Sequence, residues 1–162
     1  AKLLSTRYET STPVDTIVCL DGLEVVGAFL AEELAKVGVL SMNAHKTIYI
    51  VTPEFNANGQ MLFRDNIQHM IKNRNVVILM GSITTGVTLQ QCIESVLYYG
   101  GKITGVSSIF SAVNKIAGID INAVFYKQDV PVYESYSAEK CPMCKKKIKI
   151  DAIVNGYGYS NL

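Results

Sequence analysis

Four hydroxyl side chains and two glycines fall within residues 81–88, which read Gly-Ser-Ile-Thr-Thr-Gly-Val-Thr. An apolar run at 76–80 precedes them and an amphipathic stretch follows, so the segment is expected to turn from a strand into a helix. Backbone N–H groups at a helix N-terminus lack intrahelical partners and carry the positive end of the helix dipole. With hydroxyl donors from Ser82, Thr84, Thr85 and Thr88, that geometry neutralises a phosphate without any basic side chain. Simple capping of the helix by threonine and glycine is the competing reading. A Walker A loop is excluded, because the lysine and hydroxyl that close GxxxxGK[ST] are absent. A dinucleotide fingerprint is excluded as well, since the glycines lack GxGxxG spacing.

A second group with chemistry is Cys141-Pro-Met-Cys144, followed by lysines at 145, 146, 147 and 149. A CxxC turn points two thiolates at one point, as in half of a zinc ribbon, and tetrahedral zinc needs two further ligands. Those would come from a second chain or from a histidine such as His45 or His69. Reduced thiols in a surface turn are the alternative. The lysines form a basic patch that a solvated hairpin explains as well as a partner does. Cys19 and Cys92 lie inside apolar patterns and read as core.

The elements that position these groups alternate. Apolar runs at 16–20, 47–51, 76–80 and 103–110 lack polar alternation, as expected of strands covered on both faces. Leu23, Val26, Leu30, Leu34 and Val37 recur at helical spacing, and Leu89, Cys92, Ile93, Val96 and Leu97 repeat that stripe before Gly100 and Gly101 stop it. Strand, helix, strand with short connections predicts an α/β fold, a doubly wound and mainly parallel sheet flanked by helices. One connection, 52–65, is too long for the pattern and is expected to be a structureless lid or binding loop at the strand ends where such sheets bind ligands.

Residues 76–88, an apolar strand, a two-residue step and then Ser-Ile-Thr-Thr-Gly-Val-Thr, resemble the phosphoribosyl diphosphate signature of type I phosphoribosyltransferases. The order of elements over residues 15–110 is similar to the orotate phosphoribosyltransferases. The resemblance implies a 5-phosphate held by Ser82, Thr84, Thr85, Gly86, Val87 and Thr88, magnesium travelling with phosphoribosyl diphosphate, pyrophosphate as leaving group and a nucleobase as acceptor. An orotate-like pyrimidine is the expected base. Where the family places two carboxylates for the ribose hydroxyls, this sequence has Met80 and Gly81, neither of which offers a carboxylate acceptor. Losing a charge-assisted contact costs about 1.5 to 3 kcal/mol, so a phosphoribosyl-binding protein with impaired turnover is the alternative function. After the first strand, Asp21 and Glu24 replace the small or basic residues expected to grip pyrophosphate. Two readings stand for them: a carboxylate pair for magnesium, or a helix capping box. In the long loop Arg64 is the candidate pyrophosphate contact, against pairing with Asp65 or solvent. His45 and Lys46 are weaker candidates, and Tyr126, Lys127 and Asp129 either line a base pocket or form a loop after an edge strand.

A length of 162 residues and a hydrophobic content of 49% suit one compact core. Residues 1–137 are read as the phosphoribosyltransferase-like domain and 138–162 as a CxxC and lysine-rich extension on it. Net charge is +1, so no broad field draws in nucleic acid or anionic membrane. No apolar run approaches the roughly 20 residues of a membrane span. A soluble, cytoplasmic homodimer with no nucleic-acid or membrane partner is the expectation. The chain opens on Ala1 rather than methionine, and its first residues are too few to define the hood over the base, which the resemblance builds partly from an N-terminal region.

Overall fold

The computed structural model describes residues 1–8, 12–36, 42–44, 46–155 and 158–162; Val37 and His45 lie outside them. A short helix α1 (Lys2–Ser5) leads to strand β1 (Thr16–Cys19), helix α2 (Glu24–Lys36) and strand β2 (Tyr49–Val51). Strands β3 (Glu54–Phe55) and β4 (Met61–Leu62) follow, then β5 (Asn75–Ile83), helix α3 (Val87–Tyr98) and β6 (Lys102–Ser111). The chain continues through β7 (Lys115–Ile116) and β8 (Ile119–Tyr126) to helix α4 (Pro142–Lys145) and strands β9 (Ala152–Asn155) and β10 (Gly158–Asn161).

The main sheet has six strands in the order β2-β1-β5-β6-β8-β7. All pairs are parallel except β7 with β8. Alternate residues of the central strands feed two cores. Val18, Leu20, Val76, Ile78, Met80 and Val106 join Leu89, Cys92, Ile93 and Val96 of α3 on one face. Ile17, Cys19, Val77 and Leu79 join Leu30 and Leu34 of α2, with Leu4 and Tyr8, on the other. Strands buried on both faces have no polar face to display, which is why they read as apolar runs. Each fully buried aliphatic side chain contributes about 1.5 to 3 kcal/mol, and this double layer holds the strand ends in place.

Two expectations are corrected. Leu97 stands 54% exposed, because the last turn of α3 rotates it off the core side that Val96 occupies. The turn ends where Gly100, at φ 79°, lets Gly101 N–H donate back to the Val96 carbonyl at 2.9 Å. The 52–65 connection is not structureless either. Phe55 pairs with Met61 and Glu54 with Leu62 in an antiparallel hairpin, whose tip is fastened by Asn56 Oδ1 accepting from the Asn58 and Gln60 amides at 2.9 Å each.

Candidate functional site

Strand β5 runs three residues past the apolar stretch, to Ile83, and α3 starts at Val87, so residues 84–86 make the whole turn. Gly86 is the N-cap at φ 83°, a left-handed conformation that glycine adopts without a Cβ penalty. It also has no room for a side chain, since a Cβ there would lie 1.8 Å from Ile116 Cδ1. Around the turn is a small cup of about 40 Å³ lined by residues 80 and 82–89. That is space for about three water-sized spheres, which suits one tetrahedral anion and not a nucleotide. Ser82, Thr84, Thr85 and Thr88 are exposed, and Gly86 receives no side-chain cap. None of those four hydroxyls is engaged in a hydrogen bond among the described residues. The threonines therefore do not serve as helix caps here, and their donors face outward.

Met80 and Gly81 differ in what they present. Met80 is 3% exposed and packs in the α3-side core, so at the cup it offers an apolar wall and no carboxylate. Gly81 sits beside β1, where the register Cys19↔Leu79 continues through Leu20 N–H donating to the Leu79 carbonyl at 2.9 Å. One step further, Asp21 lies next to Gly81 and its Oδ2 accepts from Gly81 N–H at 3.0 Å. Asp21 reaches this position in the left-handed region, at φ 59°, followed by Gly22 at φ 76°. The capping-box reading of Asp21 and Glu24 does not hold. Gly27 N–H donates to the Leu23 carbonyl at 2.7 Å, so the first hydrogen-bonded turn of α2 opens at Leu23. Glu24 instead accepts from Thr52 Oγ1 at 2.9 Å, tying α2 to the end of β2.

Arg64 pairs with neither Asp65 nor the cup. Its Nε and Nη2 donate to Glu54 Oε2 at 2.9 and 2.6 Å across the base of the β3–β4 hairpin, and Asp65 accepts from Gln68 instead. The hairpin leans on α3 through Ser95 Oγ donating to the Met61 carbonyl at 3.1 Å. Lys46 Nζ lies 3.9 Å from Asp15 Oδ1, and exposed His69 meets the Tyr49 ring edge-on. Tyr126 is held by donation to the Ile121 carbonyl at 2.9 Å, and Asp129 Oδ2 accepts from Tyr126 N–H at 2.8 Å. Beside them Lys127, Ala112 and Asn114 border an open hollow of about 490 Å³. Ala112 N–H donates to the Ile83 carbonyl at 2.8 Å, so this hollow adjoins the end of β5.

Cys144 N–H donates to Cys141 Sγ at 3.4 Å. That contact holds the Cys141 thiol below its ordinary pKa, while hydrogen bonding to Cys141 raises that of Cys144. Among the described residues no three metal-ligating side chains converge, so the two cysteines have no zinc partners within the described part of the chain. Magnesium is less demanding, since one or two carboxylates plus ligand phosphates suffice. Asp21 and Glu24 are exposed carboxylates, each with one oxygen already engaged, on Gly81 N–H and on Thr52 Oγ1. Sequence reasoning missed the β7–β8 flap over Gly86, although Ala117-Gly118 between two isoleucines was a hairpin signal, with φ 50° and 80° at the turn.

No protein-family profile matches the chain. In sequence it is 28% identical over 139 residues, 85% of its length and 64% of the relative's, to an orotate phosphoribosyltransferase of a Thermoanaerobacter species. It is 30% identical over 108 residues, 66% of its length and 52% of the relative's, to the orotate phosphoribosyltransferase of Chlorobaculum parvum. The chain thus spans less than two thirds of these curated relatives. In structure it is similar to adenine phosphoribosyltransferase from Rhodothermus marinus, with a TM-score of 0.54 and 15% identity over 77% of this chain and 76% of that one. The doubly wound sheet, with the cup at the end of its third parallel strand, has the type I phosphoribosyltransferase fold.

Proposed function

We propose that the chain binds phosphoribosyl diphosphate and transfers its 5-phosphoribosyl group to a nucleobase, with orotate the base favoured by the sequence relatives. The observation that carries this reading is the cup at the start of α3, where four unengaged hydroxyls and the helix N-terminus converge at the carboxyl edge of the sheet. Thr84, Thr85, Thr88 and Ser82 would donate to the 5-phosphate together with the Gly86 and Val87 amides. In the reaction the bond from the anomeric carbon to the pyrophosphate oxygen breaks, taking its electron pair with it. A ring nitrogen of the base forms the new bond and gives up its proton.

Magnesium, when bound, neutralises the leaving pyrophosphate, and Asp21 and Glu24 are the residues that would hold it. On this reading their carboxylates would also face the positive charge that develops on the sugar, and placed negative charge favours that transition state. Arg64 would serve the pyrophosphate after leaving Glu54. The hollow beside Tyr126 and Lys127 adjoins the cup and has room for a planar base. The C-terminal segment leaves Ile150, Val154 and Leu162 at 68%, 73% and 74% exposure, which supports assembly as a homodimer. A second reading, ligand binding without turnover, is favoured by Met80 and Gly81.

Calorimetric titration with phosphoribosyl diphosphate, with and without magnesium, followed by a pyrophosphate-release assay with orotate and with purine bases, separates these readings. Binding with release is expected. Binding without release selects the second reading, and no binding overturns both. Light scattering on the same sample checks for the mass of a dimer.

A further inference from the structure

The parallel strands follow the order β2-β1-β5-β6-β8. The chain leaves β1 for β2 on one side, and the next parallel strand, β5, adds on the other side of β1. The crevice between the carboxyl ends of β1 and β5 is therefore the topological switch point, where open α/β sheets hold their ligands. Asp21 and Gly81 stand on its two sides and are joined by the 3.0 Å hydrogen bond. A side chain at Gly81 would crowd the aspartate, because its Cβ would lie 3.3 Å from both Asp21 Cβ and Asp21 Oδ2, so Asp21 would have to give by a few tenths of an ångström. The strand position carries no acid, and the acid of this crevice stands on the loop beside it.

We infer that Asp21 is the acceptor for the ribose hydroxyls of the bound phosphoribosyl group, delivered from the neighbouring strand to the place that Gly81 leaves open. The inference rests on the phosphoribosyl reading of the cup. Asp21 spends one oxygen on Gly81, and its other oxygen is unengaged among the described residues. The side chain is exposed at the crevice. From position 81 to Thr84 the strand advances about 10 Å, a span that a pentose 5-phosphate bridges with a hydrogen bond at each end. Its φ of 59° is tolerated by aspartate and asparagine better than by other side chains, and the turn fixes the carboxylate before any ligand arrives.

The test compares ribose 5-phosphate, 2-deoxyribose 5-phosphate and inorganic phosphate by calorimetry on the full chain without magnesium, so that metal binding plays no part. The native protein is expected to prefer the ribose compound by about tenfold, the worth of one hydrogen bond to a carboxylate. Asp21→Asn keeps the bond to Gly81 N–H but loses the charge. It should bind both sugars equally, with phosphate affinity unchanged. The double variant Asp21→Gly with Gly81→Asp moves the acid to the strand and should restore the preference. A preference that survives in Asp21→Asn, or is absent from the native protein while ribose 5-phosphate still binds, overturns the inference and leaves the cup's reading intact. Failure of the double variant to restore it assigns the effect to loop conformation and overturns the inference too. If none of the three probes binds, the cup's reading falls and takes the inference with it.

Discussion

Gly86 ties the turn into α3 to the strand that covers it, at the cup proposed to hold the ligand. Its φ of 83° turns the chain into α3, and the absence of a side chain lets Ile116 of β7 close over the turn. Gly86→Ala meets both constraints. A side chain in the left-handed region costs about 1 to 2 kcal/mol, and the Cβ must also displace Ile116 Cδ1. Denaturant midpoints should fall accordingly, and phosphate affinity should fall with them as the amides of the cup are re-aimed. Ile116→Val removes the clashing methyl, so the double variant should recover part of the lost stability and none of the backbone strain. Additive losses across that double-mutant cycle would show that the two residues do not meet as described. Ser108 is a contrasting case: its fully buried hydroxyl has no partner in the described structure, and the structure gives it no role.

On the proposed function, the β3–β4 hairpin is the element that would bring a cation to the charged leaving group. Arg64 is its cation, and Glu54 holds it. The pair is solvent-exposed, so its geometry is readily exchanged for another partner. Glu54→Gln should therefore release the guanidinium and raise pyrophosphate affinity about two- to fivefold, while Arg64→Gln should lower it below the native value. Equal affinities in all three proteins would exclude Arg64 from the site. The hairpin also marks where sequence reading stopped. Asn58-Gly59 between Phe55 and Met61 carried a turn signal, but strands of two residues give no periodicity to detect. By contrast, the central strands and the α2 and α3 stripes were legible because burial on fixed faces imposes a pattern. The threonine cup was legible because it is contiguous. The Asp21 to Gly81 contact was not, because it joins residues 60 apart and depends on the β1–β5 register, which no local pattern encodes.

At the scale of the whole molecule, the sheet divides two cores, and each contains acidic groups that folding keeps neutral. Burial pushes Tyr8 up from 10.0 to about 12 and Cys19 up from 9.0 to about 12 on the α2 side. Burial likewise pushes Cys92 up from 9.0 to about 12 on the α3 side. In the unfolded chain these groups ionise at their ordinary values, so between pH 9 and 12 the unfolded state releases protons that the folded state retains. The stability they contribute is complete below pH 9 and is lost as pH rises towards 12. For Cys92 the loss by pH 11 is about 2 to 3 kcal/mol, at roughly 1.4 kcal/mol for each unit above the ordinary thiol value. In a chain of this length that lowers the melting temperature by about 5 to 10 °C. Cys92→Ala should melt lower at pH 8, because it leaves a small cavity, yet lose less between pH 8 and 11 than the native protein does. Melting curves of both proteins at the two pH values decide the matter: an equal alkaline loss in the two would mean that the α3-side core does not hold this thiol neutral.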